Sequence, residues 1–184
     1  MNALLTKYQK EVIPQMKSEF GYKNDMAVPK ITKVTLNVGL GSNLKDAKYL
    51  ETVEKTLTRI TGQKPVQTKA RKSIAGFKIR EGMVIGVKVT LRGERMYNFL
   101  YKLLNVAFPR VRDFWGISDK VLDRQGNLAL GFKEHIIFPE IKPEEVDRLH
   151  GLQIIITSSA RKREEGLQLF RLLGFPFKVK EIKK

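Results

Sequence analysis

Two stretches of the chain alternate between apolar and polar residues with the two-residue period of a half-buried β-strand. The first runs from Ile31 to Val38 and the second from Val87 to Arg92. Each strand would bury one face against a core and turn a polar, partly basic face to solvent. The polar positions of the two strands are Lys33, Thr35, Asn37, Lys88, Thr90 and Arg92. Because strands with matching polar faces can lie in one sheet, the pattern predicts a continuous polar surface.

Apolar residues that recur every three or four positions predict helices around these strands. The predicted helices cover residues 3–20, 42–62, 93–109 and 159–174, and the first should be kinked at Pro14. Further short strands are predicted at residues 64–68, 128–132 and 152–157. Ser42 and Asn43 are the expected caps of the second helix, with Asp46 in its first turn, and Val66 is the expected inward residue of the first short strand. Since no internal repeat or linker is visible, the chain is predicted to form one domain over residues 1–184.

A strongly basic segment from Thr68 to Val84 leads into the second alternating strand. Its charges follow no helical repeat, and Gly76 and Gly82 interrupt any helix, so the segment is predicted to be a long basic loop with glycine hinges. Its cations are Lys69, Arg71, Lys72, Lys78 and Arg80. A cationic loop beside a basic sheet suits a polyanion with grooves. The alternative is a solvated loop beside an ordinary edge strand.

The charge balance narrows the class of partner. Lysine and arginine total 35 against 19 acidic residues, which gives a net charge of +16 and a pI of about 10.1. An excess of this size favours a nucleic acid or an anionic membrane as partner. No apolar run approaches the roughly 20 residues of a spanning helix, and the charge lies on strands and a loop rather than on an amphipathic helix. The pattern therefore favours nucleic acid, and no membrane partner is expected.

Residues that usually carry catalysis or hold metals are scarce. The chain has no cysteine, which excludes disulfides and thiolate sites and fits a reducing cytoplasm. His135 and His150 have no metal-binding spacing, so each is expected to be a packed or surface residue. The Gly-Leu-Gly at residues 39–41 lacks the third glycine of a dinucleotide-binding fingerprint. The sequence therefore predicts no catalytic residue, metal, cofactor or small-molecule substrate.

The predicted polar surface favours one kind of nucleic acid. It contains no aromatic residue on which unpaired bases could stack. Its amines, amides and hydroxyls suit phosphates and 2′-hydroxyls, and hence the backbone and shallow groove of structured RNA. A DNA-reading helix would need a basic outer face, and the run Arg161-Lys162-Arg163 at the start of the last helix keeps DNA as a minor alternative.

Long motifs of the chain resemble those of a known family. They are VPKITKVTLNVGLG, GQKPVQTKARKSIAGFKIREGM, GVKVTLRGERMYNFL, PRVRDF, HIIFPEI and LLGFPF. In this order and spacing they resemble the bacterial-type 5S-rRNA-binding protein five family of the large ribosomal subunit, over nearly the whole chain. The resemblance implies an α+β fold of one domain, with a mostly antiparallel sheet and helices packed on one face. It also implies a non-enzymatic protein of the cytoplasmic ribosome.

The resemblance also implies partners and site residues. It implies contacts with 5S rRNA, with P-site tRNA, with other large-subunit proteins bound to 5S rRNA, and with a small-subunit protein across the interface. Positions that match the family's rRNA contacts are Lys33, Asn37, Gln63 and Thr90, and the alternation adds Thr35, Lys88 and Arg92. Positions within the implied tRNA-facing loop are Lys69, Arg71, Lys72, Ser73, Lys78 and Arg80. The chain departs from the family at Trp115, commonly arginine, at Val84, usually proline, and in the more basic Arg161–Arg163.

One acidic stretch stands out in this basic chain. Residues 119–147 hold seven acids and four bases. Its candidate contact residues are Glu140, Glu144, Glu145 and Asp147. Because their charge repels RNA, we expect them to face a cationic protein, the small-subunit partner that the resemblance implies. A plain solvated helix start is the alternative.

Overall fold

A computed structural model of the chain describes residues 3–41, 44, 46–142, 144 and 148–178. The strands among them are β1 (Ile31–Gly39), β2 (Val66–Lys69), β3 (Val84–Leu91), β4 (Leu128–Phe132) and β5 (Leu152–Ser158). The helices are α1 (Ala3–Lys7), α2 (Ile13–Phe20), α3 (Ala47–Thr61), α4 (Gly93–Lys102), α5 (Phe108–Arg110) and α6 (Arg163–Leu173). The strands form one antiparallel sheet in the order β2-β3-β1-β5-β4. The expected α+β class is confirmed.

Backbone contacts divide the chain into two compact units, each assembled from separate segments of sequence. The first contains Met1–Val34, Arg92–Leu130 and Ile155–Lys184, and the second contains Thr35–Leu91 and Gly131–Ile154. The expectation of one domain over residues 1–184 stays a prediction. Among the described residues, no helix has both the length and the apolar character that crossing a bilayer requires.

In the first unit, the apolar stripe of the N-terminal helices is buried beside α4 and α6. Val12, Met16 and Leu100 are fully buried there. The Tyr8 hydroxyl donates a hydrogen bond of 3.1 Å to the Pro29 carbonyl, which ties the N-terminal segment to the chain that enters β1. Burial raises the pKa of Tyr8 to about 12, so this donor keeps its proton at neutral pH.

Two helical segments of this unit widen into a π-helical turn just before a proline. The turns span Tyr8–Val12 and Leu103–Ala107, ahead of Pro14 and Pro109. Proline lacks an N–H donor and its ring crowds the carbonyl four residues earlier, so an ordinary α-helical turn is disfavoured there. The kink expected at Pro14 therefore takes the form of a π turn that leads into α2.

In the second unit, α3 packs against β3 and buries Val53, Leu57 and Ile60. The Asp46 carboxylate caps α3 by accepting hydrogen bonds from the N–H groups of Lys48 and Tyr49, at 3.1 and 3.2 Å. Asp46 is therefore the cap and not a first-turn residue. The caps expected at residues 42 and 43 lie outside the described residues.

Candidate nucleic-acid interface

The alternation predicted for β1 and β3 is present in the structure. The inward positions are fully buried: Val34, Leu36, Val38, Val87, Val89 and Leu91. The positions between them reach solvent: Lys33, Thr35, Asn37 and Thr90 are half-buried and Lys88 is exposed. Each strand therefore turns one face to the core and the other outward, as its two-residue period requires.

In the second unit, these outward residues come from neighbouring strands. β1 and β3 are adjacent in the sheet, and the Leu40 N–H donates a hydrogen bond of 3.0 Å to the Ile85 carbonyl where their ends meet. Gly86 lies at this junction, where a β-carbon would stand 2.8 Å from the Val38 carbonyl oxygen and 3.0 Å from the Thr68 hydroxyl. Glycine is therefore what lets the strands approach here.

Gln63 joins β3 through its side chain. Its amide Nε2 donates a hydrogen bond of 3.3 Å to the Thr90 carbonyl, and its backbone N–H donates to the Thr61 hydroxyl at 3.3 Å. The sequence places Gln63 and Thr90 27 residues apart, so only the fold brings them together. We define the polar sheet face as Thr35, Asn37, Gln63, Lys88 and Thr90.

Two further candidates continue the alternation in the first unit. Lys33 lies on β1 two residues before Thr35, on the same side of that strand. Arg92 lies just beyond the end of β3 and is exposed. Its carbonyl accepts a hydrogen bond of 3.4 Å from the Met96 N–H at the start of α4.

The expected orientation of Val66 is wrong. β2 pairs antiparallel with β3 so that Val66 lies opposite Lys88 and Gln67 lies opposite buried Val87. Val66 therefore shares the outward side with Lys88, and its side chain is 60% exposed. Gln67 lies on the opposite side of the strand, where its exposed side-chain amide donates to the Glu54 carboxylate of α3 at 2.8 Å. Pairing partners decide this orientation, and a four-residue strand has too short a pattern to predict it.

The basic segment is a folded hairpin extension of β2 and β3 rather than an open loop. The Ala70 N–H donates to the Met83 carbonyl at 2.8 Å, and the Gly82 N–H donates to the Ala70 carbonyl at 3.0 Å. Nearer the tip, Ile74 and Ile79 exchange two backbone hydrogen bonds of 2.9 and 3.2 Å. A 3₁₀ turn at Ala75–Phe77 closes the hairpin. We call residues 69–83 the basic hairpin.

The basic hairpin presents its charge to solvent. All its cations, Lys69, Arg71, Lys72, Lys78 and Arg80, are exposed, and none forms an ion pair with another described residue. Ser73 stabilises the hairpin, because its hydroxyl accepts a hydrogen bond of 2.9 Å from the Glu81 N–H across the two arms. Phe77, at the tip, is 73% exposed, and sequence reasoning missed this apolar tip because it follows no period. The hairpin therefore offers a cationic surface with an aromatic end.

The structure describes half of the acidic candidates. Glu144 is exposed and Glu140 is half-buried between the buried Phe138 and Ile141. Glu145 and Asp147 lie outside the described residues. After this stretch, Arg148 forms an ion pair of 2.9 Å with the Asp46 cap of α3.

The two histidines form a buried pair that sequence reasoning did not bring together. The rings of His135 and His150 stack with centroids 3.8 Å apart and planes within 6°. Nδ1 of His135 lies 3.3 Å from both the backbone nitrogen and the backbone oxygen of His150. Burial lowers the pKa of both rings, and the repulsion that a protonated His135 would exert lowers the pKa of His150 further, to about 4. Among the described residues there is no cluster of three or more His, Asp or Glu that could hold a metal ion.

The basic run before the last helix does not form a basic helical face. α6 begins at Arg163, so Arg161 and Lys162 precede it. The Arg163 guanidinium donates a hydrogen bond of 2.6 Å to the Asp119 carbonyl. The run therefore lacks the geometry of a DNA-reading helix.

Known proteins and family models match almost the whole chain. A family model described as "Ribosomal protein L5" matches residues 24–80, and one described as "ribosomal L5P family C-terminus" matches residues 84–177. A "Large ribosomal subunit protein uL5" of Thermoanaerobacter sp. is 55% identical, over 96% of this chain and 99% of the relative. A protein of the same name from Kosmotoga olearia is 53% identical, over 95% of this chain and 96% of the relative. Another from Halothermothrix orenii is 52% identical, over 96% of this chain and 99% of the relative.

Proposed function

This chain belongs to the ribosomal protein L5 family of the large ribosomal subunit, and from that premise we propose that its polar sheet face binds 5S rRNA. Family members are structural proteins of the ribosome and not enzymes, and the ribosome of bacteria lies in the cytoplasm. The observation that carries the proposal is the alternation of β1 and β3, which leaves amides, hydroxyls and a lysine above a fully buried core.

The chemistry of the polar sheet face supports RNA as its ligand. Its side chains donate to phosphate and 2′-hydroxyl oxygens, and none of them is an aromatic platform for unpaired bases. The Gln63–Thr90 hydrogen bond fixes the side-chain amide before RNA arrives, which lowers the entropy lost on binding. Lys33 of β1 and Arg92, which directly follows β3, add positive charge at positions that continue the alternation.

Thr90→Ala tests the sheet site. Loss of a hydrogen bond to a charged phosphate should weaken 5S rRNA binding by about 1.5–3 kcal/mol without lowering the melting temperature. Thr58→Ala, at an exposed threonine of α3, is the matched control and should bind like the parent. Lys33→Ser should also reduce the slope of log affinity against log salt by roughly 0.7–0.9, the share of one phosphate. Parent-like binding by both Thr90→Ala and Lys33→Ser would mean that the sheet is not the site.

Competition between nucleic acids tests the class of ligand. Structured RNA should displace labelled 5S rRNA from the protein at matched salt, whereas duplex DNA of equal length should displace it only at much higher concentration. The reason is that 2′-hydroxyls and A-form groove geometry distinguish RNA from DNA. Equal competition would favour the DNA alternative.

We also propose that the basic hairpin contacts P-site tRNA. Its exposed cations suit a grip on the tRNA backbone that does not read sequence. Neutralising Lys72, Lys78 and Arg80 to glutamine should reduce tRNA retention in the P site, more strongly at low salt, and leave 5S binding intact. Neutralising Lys10, Lys23 and Lys48, which are exposed elsewhere, removes the same charge as a control. Loss of 5S binding in the hairpin variant would assign the hairpin to the rRNA site instead.

The acidic candidates are proposed to face a cationic small-subunit protein. Reversal of Glu144 and Glu145 to lysine should weaken subunit joining while 5S binding is unchanged, because like charges would then oppose each other. Glu11 and Glu94 are exposed elsewhere, and their reversal gives the same net charge as a control. Unchanged joining in the test variant would support a merely solvated stretch.

A further inference from the structure

The segment between α5 and β4 turns the chain's only tryptophan almost wholly to solvent. Trp115 is 81% exposed. It lies in the first compact unit and outside both the polar sheet face and the basic hairpin. A single exposed apolar residue needs no explanation by itself, but this ring is also held on anchored backbone within a cationic segment.

Both chain neighbours of Trp115 are fixed in place. Phe114 stacks on Phe108 with ring centroids 4.9 Å apart. On the other side, Gly116 has a φ of 95°, and a β-carbon there would lie 3.1 Å from the Pro176 carbonyl oxygen. The next residue, Ile117, donates to Pro176 at 2.7 Å and accepts from Lys178 at 2.9 Å. The indole is therefore presented on anchored backbone, which reduces the ordering entropy that a ligand would have to offset.

The turn that leads to Trp115 contains a residue in the left-handed backbone region. Asp113 has a φ of 52°, a conformation that aspartate tolerates in turns better than most side chains do. The chain therefore reverses direction two residues before the indole.

Apart from the exposed Asp113, the charged side chains of residues 108–117 are cationic, which favours a polyanion as ligand. Arg110 and Arg112 precede the tryptophan and Lys178 lies against Gly116, and all three are exposed. None of them forms an ion pair with a described residue. No other large apolar side chain of residues 108–117 is strongly exposed, so the loop lacks the apolar patch of a protein-docking site. An exposed aromatic ring in a cationic segment is the combination that holds unpaired nucleotides.

We propose that Trp115 stacks on an unpaired base of ribosomal RNA, with Arg110 and Arg112 on the flanking phosphates. This site supplies the aromatic platform that the polar sheet face lacks, so the two surfaces take different RNA: backbone at the sheet and an unstacked base at the loop. The inference depends on family membership in the ribosome and is independent of the proposed 5S and tRNA contacts.

Tryptophan fluorescence of the full chain reports on this site alone, because no other tryptophan contributes. A single-stranded RNA of about twelve adenosines should quench the emission to saturation, whereas a blunt-ended RNA duplex with as many phosphates should change it little. The double variant Trp115→Phe with Tyr101→Trp moves the reporter to an exposed position of α4, where the same RNA should leave the emission unchanged. Equal quenching by paired RNA, or equal quenching at the moved reporter, would overturn the proposal.

Affinity for the labelled single strand supplies the second measurement. Trp115→Ser should weaken binding roughly 5- to 100-fold, Trp115→Phe should retain most of it, and Tyr101→Ser should have no effect. The exposure of residue 115 makes unfolding of these variants unexpected, and thermal melts check it. Thr90→Ala should leave the quenching intact, which separates this site from the sheet. If Trp115→Ser binds like the parent, or the emission responds only when ribosomal proteins are added, the partner is not an RNA base.

Discussion

The buried histidine pair predicts a specific loss of stability in acid. His135 and His150 are 1% and 4% exposed, and their rings are stacked 3.8 Å apart. A proton on either ring would place a charge in a buried site beside the other ring. Nε2 of His150 has no hydrogen-bond partner among the described residues that could stabilise such a charge. The folded protein therefore keeps both rings neutral.

The size and direction of the effect follow from linkage. The pKa of His150 is lowered from 6.5 to about 4, so between these values the unfolded chain binds more protons than the folded chain. The contribution is therefore fully present above pH 6.5 and is lost as the pH falls toward about 4. At about 1.36 kcal/mol per pKa unit, the loss from this residue approaches 3 kcal/mol. The lowered pKa of His135 acts in the same direction.

Urea unfolding at several values between about pH 7.5 and 4.5 measures this loss. His150→Phe keeps an aromatic ring for the stack and removes the titrating group. Carboxylates that titrate at low pH are common to both proteins, so the difference between the two pH profiles isolates the contribution of His150. Parallel profiles would contradict the predicted loss of stability, and so would an NMR titration that finds an ordinary pKa near 6.5 for both rings in the folded protein.

Two further predictions concern backbone packing and capping. Gly86→Ala should lower the free energy of unfolding by roughly 1–3 kcal/mol in urea titrations, because its β-carbon would stand 2.8 Å from the Val38 carbonyl oxygen. Gly131→Ala, which has open space around it, is the control and should leave the free energy of unfolding nearly unchanged. Equal effects of the two substitutions would contradict a close contact at Gly86. Asp46→Ala should lower the free energy of unfolding by about 1–2 kcal/mol, because it removes both the cap of α3 and the ion pair to Arg148. Asp46→Asn should recover most of the stability that the cap contributes. An Asn variant as unstable as the Ala variant would argue against the cap.

The sequence determined the features that depend on local periodicity and composition. The side chains of β1 and β3 that face outward were predicted correctly, because a strand alternates its side chains whatever its neighbours are. The family was recognisable because its motifs are long and ordered along the chain. The cationic segment was visible as composition, and its exposed charges follow from the cost of burying them.

Tertiary structure decided what depends on pairing between distant residues. Gln63 meets Thr90, and His135 stacks on His150, through contacts that no local pattern encodes. Val66 faces outward because its register with Lys88 fixes its side of the sheet, and the basic segment becomes a hairpin because Ile74 and Ile79 bond across it. Trp115 sits in the sequence as one residue of an irregular segment, and the residues beside it are anchored by Phe108 and Pro176, which are seven and 61 positions away from it. A period constrains only the residues of one element, whereas register and long-range contacts are set by the free energy of the whole packed chain.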